Sequence, residues 1–224
     1  MPDLDSFVQQ SSVSNPLREP VLCSVIQALQ FPLGSRGLDA GCGIGLQTLL
    51  LAEAMGPVGH IIALDLSPEF LDHAEEMAEE AGMSERISFR QGDVNKLPFD
   101  DDTFDWAWSV DCVGYAPVEP LPLLKELARV VKPGGSVAIL AWSSEKLLPG
   151  YPLLEARLNA TYAANFFYRD DTKPESHILR CLGWLQAAGF EDPQARTFVA
   201  EVQSPLDDAT RKGLAATFQM FWEN

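Results

Sequence analysis

The chain has 224 residues, 46% hydrophobic and 21% charged, the composition of a globular protein able to bury roughly 70% of the surface its unfolded chain exposes. That excludes overall disorder, and no apolar run approaches the ~18–20 residues of a spanning helix. Lys plus Arg total 16 against 32 Asp plus Glu, a formal charge of −16, which repels nucleic acid and anionic membrane and favours a small-molecule substrate.

In chain order, Leu17, Val21, Leu22, Val25, Ile26 and Leu29 recur at helical spacing and predict a helix over roughly 16–29. A first strand ends in Gly37-Leu38-Asp39-Ala40-Gly41, and a helix follows from Leu46. His60 to Asp65 reads as a buried second strand. Ser67 is a predicted N-cap with Pro68 at the first helical position, opening a helix that Gly82 stops. Strands are predicted over 86–93, 104–110 and 136–142, with a helix around 122–131 ended by Lys132-Pro133-Gly134-Gly135.

These read as five β-α units whose strands are nearly continuous apolar runs. The expected fold class is α/β: a doubly wound, mostly parallel sheet with helices on both faces, Rossmann-like. Residues 143–175 break the rhythm with three prolines and five aromatics, an insertion suited to a lid. A helix over 177–190, an alternating sixth strand over 195–202 and a closing helix from Leu206 follow. The expected organisation is an N-terminal helical segment (1–35), a cofactor-binding core (36–142), the insertion (143–175), and a helix–strand–helix completing the same domain (176–224).

The chemistry concentrates at the ends of the first three strands. Gly41, Gly43 and Gly45 let the backbone turn tightly, and free amides at the next helix start can face a ligand. Asp65, at the end of the second strand, can accept hydrogen bonds from both hydroxyls of a ribose, and Asp93 adds an acid at the end of the third. The turn departs from the dinucleotide pattern GxGxxG, since its third glycine comes one position early and residue 46 is Leu. Asp39, directly before the glycines, repels a pyrophosphate and favours an ammonium group.

The phrases LDAGCGIG, ALDLSPEFL, GDVNKLPFDDDTFD and VVKPGGSVAIL, in this order between about Gly37 and Trp142, resemble class I S-adenosylmethionine-dependent methyltransferases. Within them the chain is similar to the ubiquinone/menaquinone-biosynthesis-type group of small-molecule enzymes. The resemblance implies that Asp39, Gly41, Cys42, Gly43 and Gly45 cradle the methionine part of the cofactor. Asp65 takes the ribose hydroxyls, Leu66 packs on the adenine, Asp93 meets the adenine amino group, and Val94 meets its ring edge through the backbone. Ser109 and Val110 line the sulfonium end. The expected activity is methyl transfer from S-adenosylmethionine to a small-molecule acceptor by in-line displacement. A non-catalytic S-adenosylmethionine-binding protein and, behind it, an NAD(P)-dependent oxidoreductase are the alternatives.

Asp111, Tyr115 and His177 are candidate catalytic groups, each with an ordinary alternative: a solvated loop for the first two, a helix cap for His177. Gln47 and Thr48 can touch the cofactor carboxylate, or simply supply helix-start polarity. Tyr151, Tyr162, Phe166, Phe167 and Tyr168 suit an apolar acceptor pocket, or packing of the insertion onto the sheet. Cysteines 23, 42, 112 and 181 form no CxxC pair, and histidines 60, 73 and 177 form no metal pattern. With no basic-then-apolar leader, the expectation is a cytoplasmic enzyme without metal, membrane or nucleic-acid partner. The family finishes with an antiparallel seventh strand beside the fifth. No such strand follows residues 195–202, so either the chain is truncated or the sheet ends with an unpaired edge.

Overall fold

The computed structural model describes residues 4–112, 119–144, 146–148, 150–160 and 177–222. The strands are β1 (Arg36–Ala40), β2 (His60–Asp65), β3 (Ile87–Gln91), β4 (Phe104–Val110) and β5 (Val131–Leu140). They form one sheet in the order β3-β2-β1-β4-β5, with every pairing parallel. The helices are α1 (Leu4–Leu29), α2 (Leu46–Ala54), α3 (Pro68–Glu80), α4 (Pro120–Val130), α5 (Pro152–Asn159), α6 (Cys181–Ala187) and α7 (Asp208–Trp222), with a 3₁₀ turn over Ile178–Arg180.

Alternation along β4 sends side chains to opposite faces of the sheet. Trp106 and Trp108 pack with Val25, Ile26, Leu51 and Ile61 on one side, and Ala107 packs with Leu123, Leu124 and Leu127 on the other, where Phe104, before the register shift with β5, joins it against the alternation. Both faces are covered, as the apolar strands require. The α4 face is set by Pro120, Leu123, Leu124, Leu127 and Val130, all buried, at the 3–4 residue spacing of one helical stripe. The predicted cap of α3 is present: the Ser67 hydroxyl accepts from the Phe70 N–H at 3.2 Å. Gly82, at φ +67°, ends the helix.

Four expectations are corrected. The first helix starts at Leu4 and runs through Pro16 and Pro20. Each proline deletes a backbone donor, but Val21, Leu22, Val25 and Ile26 are buried and hold the helix to the sheet. Lys132–Gly135 belongs to β5: Phe104 pairs with Val131 and Trp106 with Ser136, so these residues bulge out of the ladder. The series of five β-α units is broken between β3 and β4, where residues 92–103 cross without a helix. Residues 195–202 form no strand, because alternation supplies a face but no hydrogen-bonding neighbour; Val199 is 80% exposed. Among the described residues the sheet ends at β5.

The chain leaves β3 at one edge and returns at β4, on the far side of β1. The order therefore reverses between β1 and β4, where doubly wound sheets open a crevice beyond the strand carboxyl ends.

Candidate cofactor and acceptor site

Asp39, the fourth residue of β1, is fully buried at that crevice. Its Oδ2 accepts from Thr48 Oγ1 in α2 at 2.7 Å, while Oδ1 is buried without a partner. Burial raises its pKa to about 7, against the opposing hydrogen bond from Thr48 and with a further push from the Asp65 charge.

The loop between β1 and α2 is tied to β2, since the amides of Gly41 and Cys42 both donate to the Leu64 carbonyl, at 2.7 and 3.0 Å. Gly45 has φ +83°, and a Cβ there would lie 2.8 Å from the Ala74 Cβ, so loop and α3 fit only without a side chain. Gly43 has φ +54°, and a Cβ there would meet nothing within 4 Å: the loop faces open space at this point. The Gly43 N–H donates to Asp65 Oδ2 at 2.8 Å, and the Ser67 N–H to Asp65 Oδ1 at 3.0 Å. Each Asp65 oxygen thus keeps a lone pair for a further donor.

The other sequence candidates spread around this centre. Leu66 is 67% exposed, beside the crevice. Asp93 is exposed, its Oδ1 accepting from the Asn95 amide at 2.8 Å in a turn after β3, and Val94 is half-buried near Gly41. Ser109 is buried and its hydroxyl donates to the Ala40 carbonyl at 2.7 Å, pinning β4 to β1. Val110 is in the core. Cys42 and Cys112 are thiols whose pKa burial raises, Cys112 to about 11, so neither is an activated nucleophile. Asp111, at φ +57°, ion-pairs with Arg18. His177 caps the 3₁₀ turn, its Nδ1 accepting from the Leu179 N–H at 3.1 Å. Tyr151 is 64% exposed before α5. Tyr115, Tyr162, Phe166, Phe167 and Tyr168 lie outside the described residues. Sequence reasoning passed over Arg18 and left Thr48 undecided. The only signal for Thr48 was a hydroxyl one turn into the helix after an acid-ended strand.

A cofactor fits these residues on charge grounds. Asp39 and Asp65 approach an open loop, and among the described residues neither forms an ion pair with Lys or Arg. That suits a cationic nucleoside and repels a diphosphate. Among the described residues no group of three or more His, Cys, Asp or Glu is placed to hold a metal, and no helix is long and apolar enough to cross a membrane.

Residues 38–135 match a family described as a methyltransferase domain. A demethylmenaquinone methyltransferase of Staphylococcus carnosus is 32% identical over 203 residues, 80% of this chain and 77% of that one. The chain belongs to the class I S-adenosylmethionine-dependent methyltransferases. A demethylmenaquinone methyltransferase of Lysinibacillus sphaericus is 40% identical over 180 residues, 80% of this chain and 73% of that one. A probable chloroplastic tocopherol O-methyltransferase of Oryza sativa subsp. japonica is 28% identical over 193 residues, 83% of this chain. The chain spans about half the length of that relative and of several other curated ones. A methyltransferase of Aquifex aeolicus shares the fold, with TM-score 0.60, 24% identity, and 81% of this chain and 87% of that one covered.

Proposed function

We propose that this chain transfers the methyl group of S-adenosylmethionine to a small hydroxylated aromatic acceptor. The single observation that carries the cofactor assignment is the buried Asp39 carboxylate, with one oxygen on Thr48 and the other unpartnered, next to Asp65. The aromatic acceptor rests on the kinship with demethylmenaquinone and tocopherol methyltransferases.

When bound, the cofactor supplies a methyl group already activated on a sulfonium. Asp39 receives the cofactor ammonium at its unpartnered oxygen, and Thr48 holds that carboxylate in place. Gly41, Cys42, Gly43 and Gly45 offer backbone without side-chain obstruction. Asp65 accepts the ribose hydroxyls while the Gly43 and Ser67 amides fix its plane. Leu66 and Val94 flank the adenine, and Asp93 accepts from its amino group. Ser109 keeps β4 in register with β1, so that Val110 and Asp111 end at the sulfonium side. Methyl transfer then asks mainly for in-line alignment and exclusion of water, worth ~7–11 kcal/mol in favourable intramolecular reactions. The insertion over 143–175 is assigned the water-excluding role, and the unpaired cysteines suit a cytoplasmic setting.

Calorimetry with S-adenosylmethionine, S-adenosylhomocysteine and NADH, run beside labelled-methyl transfer to phenols and reduced quinones, tests this. We expect the first two ligands to bind, NADH not to bind, and label to reach a phenolic or quinol acceptor. Tight NADH binding without S-adenosylhomocysteine binding sinks the cofactor assignment. Cofactor binding without transfer to any member of the panel sinks the acceptor assignment.

A further inference from the structure

Arg18 is used by none of this. It projects from α1 to the carboxyl ends of β4 and β5, where its Nη2 donates to Asp111 Oδ2 and its Cζ stands 5.1 Å from the Trp142 ring centroid. Near the start of the same helix, Phe7 stacks on Phe70 of α3 with ring centroids 5.0 Å apart. Helix α1 therefore reaches from the start of α3, just past β2, to the ends of β4 and β5.

The guanidinium is held on two sides. Asp111 is fixed by its own backbone, its N–H donating to the Leu140 carbonyl at 2.9 Å, and Trp142 sets the guanidinium against an aromatic surface. An arginine that served only to close α1 onto the sheet would be expected to fork two donors onto its carboxylate. Here Asp111 receives one nitrogen, and Nε is buried with no partner among the described residues although a third of the side chain (33%) is exposed. A buried unpartnered donor on a cation, next to the sulfonium end of the cofactor site, is a receptor for a negatively charged oxygen. A neutral oxygen accepts the same N–H without the added attraction between opposite charges. An ionised hydroxyl gains a charge-assisted hydrogen bond.

We propose that Arg18 is the acceptor-orienting residue, its Nε–H edge donating to the oxygen anion of an ionised hydroxy-aromatic acceptor. This rests on the methyl-transfer reading and names the acceptor state that the site selects. The same contact favours ionisation of the acceptor hydroxyl and turns the electron-rich ring or oxygen toward the methyl group.

The test is calorimetric titration of the full chain, saturated with S-adenosylhomocysteine, at neutral pH. The two probes are 2-hydroxy-1,4-naphthoquinone, an anion at that pH, and its uncharged 2-methoxy counterpart. The wild type should prefer the anion by about tenfold, as expected of one charge-assisted hydrogen bond. Arg18→Gln should erase the preference while leaving S-adenosylhomocysteine affinity within about twofold, and Arg18→Lys, which keeps the charge without the planar fork, should fall between. Equal affinity of the wild type for the two probes, or binding of neither, overturns the proposal. So does a preference that survives in Arg18→Gln, or an Arg18→Lys variant indistinguishable from wild type. Failure of S-adenosylhomocysteine to bind at all takes the methyl-transfer reading with it, whereas binding without anion preference removes only the role of Arg18.

Discussion

Thr48 Oγ1 in the first turn of α2 donates a 2.7 Å hydrogen bond to Asp39 Oδ2 at the end of β1, and both residues are fully buried. One hydroxyl therefore holds a carboxylate that forms no ion pair among the described residues. Thr48→Val keeps the shape and deletes the donor. We expect about 1.5–3 kcal/mol lost in urea unfolding at about pH 8, where Asp39 is largely ionised, and a smaller loss at about pH 5. Equal losses at the two pH values would detach Thr48 from the Asp39 charge.

The raised pKa of Asp39, about 7, has a defined sign. The folded state binds this proton more tightly than the unfolded chain, so the contribution to stability is complete below the ordinary carboxylate range and is lost as pH rises through about 7. Ligand-free protein should lose stability between about pH 5 and 8, and Asp39→Asn should flatten that slope. A cofactor ammonium favours the ionised carboxylate, so S-adenosylmethionine binding at about pH 6 should release a proton. Calorimetry in two buffers of different ionisation heat reads this directly, and Asp39→Asn should abolish the release.

Asp65→Ala removes an acceptor placed for ribose hydroxyls and strips the Gly43 and Ser67 amides of their partner. Cofactor affinity should weaken by roughly 1–3 kcal/mol, measured as a change in Kd for S-adenosylhomocysteine. An unchanged Kd removes Asp65 from the ribose.

Gly43 and Gly45 separate ligand space from packing. Gly45→Ala puts a Cβ 2.8 Å from Ala74 at φ +83°, and both the clash and the left-handed backbone should lower Tm. Gly43→Ala at φ +54° meets no protein atom within 4 Å. It should cost only the backbone strain, about 1–2 kcal/mol, yet weaken cofactor binding about tenfold or more. Near-wild-type affinity in Gly43→Ala would place the cofactor away from the loop.

The proposed cofactor half of the site was legible because it is written in short, local patterns. Residues 38–45 carry the acid and the glycines in one turn, Asp65 closes an apolar run, and Ser67-Pro68 announces the next helix. Each depends on neighbours a few positions away, whose geometry the backbone sets. The proposed acceptor half was not legible for the opposite reason. Nothing near residue 18 hints at an ion pair with residue 111 or an aromatic contact with residue 142. His177, plausible as a pocket residue in one dimension, accepts a backbone N–H as a cap.

Hydrophobic periodicity, glycine placement and the acid before the glycine turn determined from the sequence alone that this is a parallel α/β chain with a tight, acid-flanked glycine loop after its first strand. They suffice because period and turn chemistry are properties of adjacent residues. Tertiary structure alone decided that Thr48 anchors Asp39, that Arg18 stands at the ends of β4 and β5, and that residues 195–202 stay outside the sheet. Those outcomes depend on which elements dock beside one another, and docking brings together side chains whose separation along the chain carries no signal.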